Sequence, residues 1–280
     1  MSLVVNTNMG AQIAQRNLFN AGNSLSTSMQ RLSSGLKINS ASDDAAGLSL
    51  SKKIGAQVSA ADVAKSNAQT GINMIQTAES DLAVIQDNLQ RMRDLSVQAA
   101  NGVYSSSERR MLDTEYKNRI QEIDRIAKSS KFSSIDLLNS NPTAGTINLQ
   151  VGTDNSANDR IDISSVFKNF QLGQSSMPAA TASITTATFA QAQISAMSGA
   201  ISSVSSARSL MGATINRLQG AISRIDTRKE NMSSALSVIK DADIAKESSE
   251  LTRTQILKQA ATAMLSQANQ TPQLALRLLQ

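Results

Sequence analysis

The chain has 280 residues and a formal charge of +5, with no Cys, no His, no Trp and only 2% aromatic residues. That inventory excludes disulfides and zinc sites built from thiolate or imidazole, and it removes the side chain most often used as a general base near neutral pH. The 27 basic residues are scattered among 22 acidic ones and lack interleaved aromatics, so no nucleic-acid surface is predicted.

The chain begins MSLVVNTNMG, where only Leu3 to Val5 is apolar and no basic stretch precedes it. Neither a cleavable signal peptide nor a membrane span is predicted, which taken alone suggests a cytosolic protein. Leu18, Leu25, Met29, Leu32 and Leu36 then follow a helical spacing. Asn39 to Asp44 (NSASDD) is predicted as a loop in which Ser42 and Asp43 cap the next helix, or as a spoke joining two helical layers. That next helix, from about Ala45 to Ala100, carries Ile72, Ile75, Ala78, Leu82, Ile85, Leu89 and Met92 on one face and stops at Asn101-Gly102. Ser105 and Glu108 form a capping-box pattern that starts a third helix, whose inner face is Leu112, Tyr116, Ile120, Ile123 and Ala127.

In the middle of the chain the period changes. TINLQV (146–151) and RIDIS (160–164) alternate apolar and polar residues, so a β-hairpin is expected at about 145–165. The Ser/Thr/Ala-rich stretch to Thr188, with Pro178, is expected as a short variable loop at about 170–188.

The strongest pattern follows. Ile194, Met197, Ile201, Val204, Arg208, Met211, Ile215, Leu218, Ile222, Ile225, Lys229, Met232, Leu236 and Ile239 step by three and four, and all but Arg208 and Lys229 are apolar. Such a seam is coiled-coil-like, and at a helical rise it runs roughly 70 Å, which demands a partner of similar length. A last helix carries Ile244, Leu251, Leu257, Ala261, Met264 and Ala268; Thr271-Pro272 is predicted to interrupt it before the apolar tail with Leu274, Leu276, Leu278 and Leu279. Apolar termini either pack on the same chain's core or on neighbouring copies, and the pattern alone leaves both open. The fold class is therefore mainly α: a long antiparallel coiled-coil-like bundle with a small β-hairpin.

Three blocks go beyond periodicity. QRLSSGLKINSASDDAA (30–46), continued by Gly47, resembles the N-terminal signature of bacterial flagellins. NLQRMRDLSVQ (88–98) resembles a core segment of that family, and residues 231–270, beginning NMSSALSVIKDADIAKESSEL, resemble its C-terminal signature. The resemblance departs at the end, where Gln280 replaces a common basic residue.

The resemblance implies a non-enzymatic, cofactor-free subunit that polymerises with itself into the flagellar filament. It implies an inner assembly domain of 1–44 with 241–280 and an outer helical domain of 45–240, without the large variable insertions many relatives carry. It also overturns the cytosolic reading, since flagellins are exported unfolded without a cleaved signal and end outside the cell. Expected partners are an export chaperone, the filament cap and hook-associated proteins, with no nucleic acid and no membrane insertion. Self-assembly residues are expected at Leu18, Leu25, Leu32, Leu36, Leu257, Met264, Leu274, Leu278 and Leu279. Residues matching a family surface sensed by a vertebrate Toll-like receptor are Gln90, Arg91, Leu95, Gln98, Leu112 and Glu115; Leu95 also suits helix packing. The alternative is a hook-filament junction protein, which shares such ends but is expected to carry a larger middle. The Ser/Thr-rich 174–188 stretch offers the hydroxyls that O-glycosylation uses, in a composition that bare linkers share.

Overall fold

The computed structural model describes residues 7–139, 147–167, 170 and 183–278, with side chains through Gln270. Five helices dominate: α1 (Met9–Ser34), α2 (Ala45–Ala100), α3 (Ser106–Ser129), α4 (Ala187–Lys240) and α5 (Ile244–Leu278). Two short antiparallel strand pairs lie between α3 and α4: β1 (Lys131–Phe132) with β2 (Ile135–Asp136), and β3 (Asn148–Gln150) with β4 (Arg160–Asp162). The chain divides into two compact units, 1–58 with 230–280 and 59–229. Among the described residues, no helix is long and apolar enough to cross a membrane.

In the unit of residues 59–229, α2 supplies an unbroken buried stripe of Ile72, Ile75, Ala78, Leu82, Ile85, Leu89, Met92, Leu95 and Ala99. Its partners are Tyr116, Ile120, Ile123 and Ala127 of α3 and a seam on α4. Lys65–Asp226 (2.8 Å), Lys229–Asp62 (2.5 Å) and Arg208–Glu79 (2.8 Å) run in opposite chain directions, which fixes α2 and α4 as antiparallel.

The α4 seam keeps its period of three and four, but its frame differs from expectation. Met197, Val204, Met211, Leu218 and Ile225 are buried as expected; the alternate positions are Ala200, Ala207, Thr214 and Ala221 rather than Ile201, Arg208, Ile215 and Ile222. Small residues occupy the line of closest approach, and the larger side chains one position later pack along its flank. Arg208 is thus no defect in a seam: from the flank it reaches Glu79 and Gln86 of α2.

Local signals behave as their chemistry requires. α2 stops at Ala100, and Arg109 of the following helix donates to the carbonyls of Ala99 (2.8 Å) and Asn101 (3.0 Å), satisfying acceptors that the helix end leaves free. The capping box is complete, with Ser105 Oγ accepting from Glu108 N–H and the Glu108 carboxylate accepting from Ser105 N–H at 2.7 Å. The expected hairpin forms with Leu149 opposite Ile161, and Gln150 closes its loop by donating to the carbonyls of Gly152 and Asp154. The β1–β2 pair was not expected; its turn places Ser133 in the left-handed region at φ 55°. The loop expected at 170–188 falls mostly outside the described residues: Phe170 is buried, and α4 begins at Ala187.

In the unit of residues 1–58 and 230–280, α1 and α5 pair antiparallel: Asn8 donates to Ala268 O (2.7 Å) at one end, and Arg31 approaches Glu247 (3.8 Å) at the other. Asn8 also caps α1, and Gly35 ends it at φ 70°, a conformation that suits glycine. The connectors beyond the two helices are stitched to each other: Lys37 N–H donates to Lys240 O (2.7 Å), and Ala242 N–H donates to Gly35 O (2.9 Å). Asp44, not Ser42 or Asp43, caps α2 by accepting from Gly47 N–H, while Asp43 folds the loop by accepting from Asn39 N–H and Ser40 N–H. These donors hold the Asp43 carboxyl below its ordinary range. The expected break at Pro272 is absent: α5 continues to Leu278, with one backbone donor missing at the proline.

Candidate assembly surfaces

The line of contact between α1 and α5 is built from small side chains. Ala14, Ala21 and Ser28, a heptad apart, are the buried residues of α1, and Thr254 is buried on α5. Leu18, Leu25 and Leu32, each four residues after one of them, are half-buried, as is Leu36 in the connector. Close approach through small residues leaves the larger apolar side chains without enough depth to be covered.

On one flank of the pair this produces an open groove of about 800 Å³. Its apolar wall includes Ile13, Leu257, Ala260 and Met264, and its rim carries Asn17, Asn20, Arg253 and Gln267. Ile13 is 45% exposed, Leu257 46% and Met264 63%. Elsewhere on the two helices Met9, Phe19, Met29, Ile244 and Ile256 are exposed as well. So many large apolar side chains in water on one helix pair mark a surface for packing against something else.

The structure brings Leu257 and Met264 together in that groove and sets Leu18, Leu25 and Leu32 apart from it, along the other edge of the contact line. Leu274 and Leu278 lie on the last turns of α5, where side chains are not described, and Leu279 lies outside the described residues. Ile13 escaped notice in the sequence because its stripe continues through Asn17, Asn20 and Ser24, which hide an apolar period.

A second surface lies on α2 and α3. Arg91 makes a two-pronged ion pair with Glu115, Nε to Oε1 at 2.9 Å and a terminal nitrogen to Oε2 at 3.1 Å. Arg119 joins them, approaching Glu115 at 3.7 Å and donating to Asn88 Oδ1 at 3.1 Å. The hydrogen bonds from Arg91 hold the Glu115 carboxyl below its usual range, and the same contact raises the Arg91 guanidinium. Gln90, Arg91 and Gln98 are exposed, and Leu112 and Glu115 are half-buried. Leu95 differs: it is fully buried, because it continues the stripe of Leu82, Leu89 and Met92 into the core. Its side chain is not part of this exposed face.

A third arrangement anchors the start of α4. Asp113 of α3 is buried, accepts from Ile184 N–H at 2.8 Å and from Ser183 Oγ at 2.9 Å, and pairs with Lys117 at 2.7 Å. Burial alone would raise its carboxyl, but Lys117, Ile184 and Ser183 outweigh it and hold the group below its ordinary range. The described residues contain no cluster of side chains with the makings of a metal site.

The exposed large apolar side chains of α1 and α5 mark a chain that packs against something else. Sequence comparison identifies which. Residues 5–143 match the bacterial flagellin N-terminal helical region, and residues 194–279 match the bacterial flagellin C-terminal helical region. The chain is 41% identical to a flagellin of Halalkalibacterium halodurans, over 99% of this chain and 100% of that one. It is 37% identical to the flagellar filament 33 kDa core protein of Treponema phagedenis, over 99% and 100%. Among solved structures it resembles Bacillus cereus flagellin, with 25% identity, a TM-score of 0.50 and coverage of 61% of this chain and 94% of that one.

The chain belongs to the bacterial flagellin family, in a short form that aligns end to end with relatives of its own size. It is a structural subunit of the flagellar filament, outside the cell, and the family is structural rather than enzymatic. A putative flagellar hook-associated protein of Vibrio parahaemolyticus has a similar fold, with a TM-score of 0.56 over 71% of this chain and 99% of that one. Its 16% identity makes that a likeness of fold alone, so the helical architecture does not separate filament from junction proteins; the sequence does.

Proposed function

We propose that the open flank of the α1–α5 pair is the self-assembly face, covered in the filament by terminal helices of neighbouring copies. The observation that carries this reading is the exposure of Ile13, Leu257 and Met264 in one groove of a folded chain. A fully buried Leu or Met contributes about 1.5–3 kcal/mol relative to exposure, and within one chain these residues gain only part of that. Leu18, Leu25 and Leu32 support the pair from its other edge and Leu36 from the connector, and Leu274, Leu278 and Leu279 belong to the same proposed set of assembly residues.

The α1–α5 contact, made of Ala, Ser and Thr, buries little apolar area to offset the ordering of two long helices. The terminal helices therefore order fully only against neighbours, and assembly couples folding to binding. Such a chain is suited to export in unfolded form with a chaperone covering its apolar ends, and to folding under the filament cap after hook-associated proteins have seeded growth. In this scheme 1–44 with 241–280 is the inner layer and 45–240 the outer one.

Elongation of filament seeds by purified subunits tests the reading. A chain lacking 274–280 should keep the helical signal and melting transition of the 59–229 unit and fail to elongate seeds. Normal elongation by that truncation would refute the proposed role of the tail.

A second role rests on the Arg91–Glu115 pair. The exposed Gln90, Arg91 and Gln98, with Leu112 and Glu115 beside them, form a rigid polar face that a flagellin-sensing Toll-like receptor would read on free subunits. Leu95 would act only by holding α2 in place beneath it.

A further inference from the structure

Of the methionines among the described residues, Met74, Met92, Met197 and Met211 are buried, whereas Met9, Met29, Met111 and Met264 are more than half exposed. Met264 alone of the exposed four lines the α1–α5 groove, on a wall it shares with Leu257, Ala260 and Ala261 and opposite Ile13. A thioether there is chemically different from the aliphatic side chains around it. It packs as an apolar group, yet an oxidant converts it to a polar one without changing the backbone.

We propose that Met264 is an oxidative modification site that controls the subunit's competence to assemble. This rests on the reading of the groove as an assembly face. The reactant is a peroxide: the sulfur lone pair attacks one peroxide oxygen, an S–O bond forms as the O–O bond breaks, and the second oxygen leaves as water after proton transfer. Sulfur is oxidised by two electrons to the sulfoxide, and hydrogen peroxide is reduced to water. The new oxygen carries a hydration shell that must be stripped when the groove is covered, so the modified subunit is excluded from the growing end. The same covering shields Met264 once a subunit has been incorporated. Oxidation therefore acts on free subunits and spares finished filament, and reduction of the sulfoxide by two external thiols, which become a disulfide as the oxygen leaves as water, restores competence.

The test uses the full-length chain and hydrogen peroxide. Subunits are oxidised to partial conversion and offered to seeds; filament and unassembled fractions are then separated and sulfoxide is mapped by peptide mass. Met264 sulfoxide should be depleted in the filament by about tenfold relative to the unassembled pool, as expected for burying an unpaired polar group. Sulfoxide at Met111 on α3 is the internal reference. In preformed filaments Met264 should oxidise more slowly than in free subunits. A Met264→Leu subunit should lose much less of its own untreated elongation rate after peroxide than the unsubstituted subunit does.

Equal Met264 sulfoxide in both fractions, or equal peroxide sensitivity of Met264→Leu, would overturn the proposal. Met264→Asp, used without oxidant, separates the two levels. If it elongates seeds normally, the groove is not an assembly face and the underlying reading fails. If it blocks elongation while the sulfoxide does not, only the oxidative control fails.

Discussion

Leu149 of β3 rests against the bare backbone of Gly71 on α2, where a Cβ would fall inside the van der Waals envelope of Leu149 Cδ1. The same hairpin is tied to α2 by Asn67, which donates to Gln150 O at 3.2 Å. Gly71 is therefore a docking point for the hairpin, and its substitution has an unusual signature. In an exposed helix interior Gly→Ala stabilises by about 1 kcal/mol. Here Gly71→Ala should bring no such gain, because Leu149 must swing aside. In a Leu149→Ala background the gain should return. Thermal melts of the four chains in this cycle check it, and a stabilised Gly71→Ala single variant would count against the docking.

The capping box offers a calibrated local test. Ser105→Ala removes the acceptor for Glu108 N–H and should destabilise the chain by about 1 kcal/mol. Glu108→Gln should cost less, since the amide oxygen still accepts from Ser105 N–H. Equal losses in urea unfolding would show that the charge of Glu108, rather than the reciprocal hydrogen bonds, dominates.

Acid sensitivity follows from Asp113. Its carboxyl is held below the ordinary range in the folded chain, so its contribution is present above the unfolded value of about 4 and is lost as pH falls through the lower folded value. Glu115, held down chiefly by Arg91, acts in the same sense. The melting temperature of free subunits should fall as pH drops below about 4. Asp113→Asn should melt lower at neutral pH, lose the Lys117 pair, and show a shallower fall. Parallel pH profiles for the two chains would remove Asp113 from the account.

The receptor-facing reading makes two variants behave differently. Arg91→Ala removes an exposed side chain and should lower receptor activation with a small change in stability. Leu95→Ala empties a fully buried site and should cost about 2–5 kcal/mol. Any loss of activation by Leu95→Ala should accordingly track unfolding, and a loss without destabilisation would return Leu95 to the contact surface.

The period of each long helix was legible in the sequence, and so were the capping box, the stop at Asn101-Gly102 and the hairpin at 148–162. What the pattern misread was which residues meet at the contact line. A search for large apolar side chains selects Ile201, Ile215 and Ile222 on α4 and Leu18, Leu25 and Leu32 on α1. Closely packed helices instead set Ala200, Thr214 and Ala221, or Ala14, Ala21 and Ser28, face to face, with the large residues along the edges. The β1–β2 pair is too short, at two residues per strand, to show an alternation. Leu257 and Met264 stand out as candidates in the sequence, but their shared groove with Ile13 depends on how α1 and α5 align, which no single-helix pattern contains.

That alignment is the core of the account: small residues join α1 to α5 within one chain, and large ones are left facing outward. The most direct measurement is seeded elongation by Ile13→Asp and Leu257→Asp subunits, with circular dichroism and melting of the free subunits alongside. Both positions are nearly half exposed in the free chain, so the substitutions should leave the melting of the 59–229 unit unchanged. Each should abolish elongation, because a carboxylate would have to be dehydrated beneath a neighbouring subunit. Filaments growing from either variant at the unsubstituted rate would contradict the claim that this groove is where copies meet.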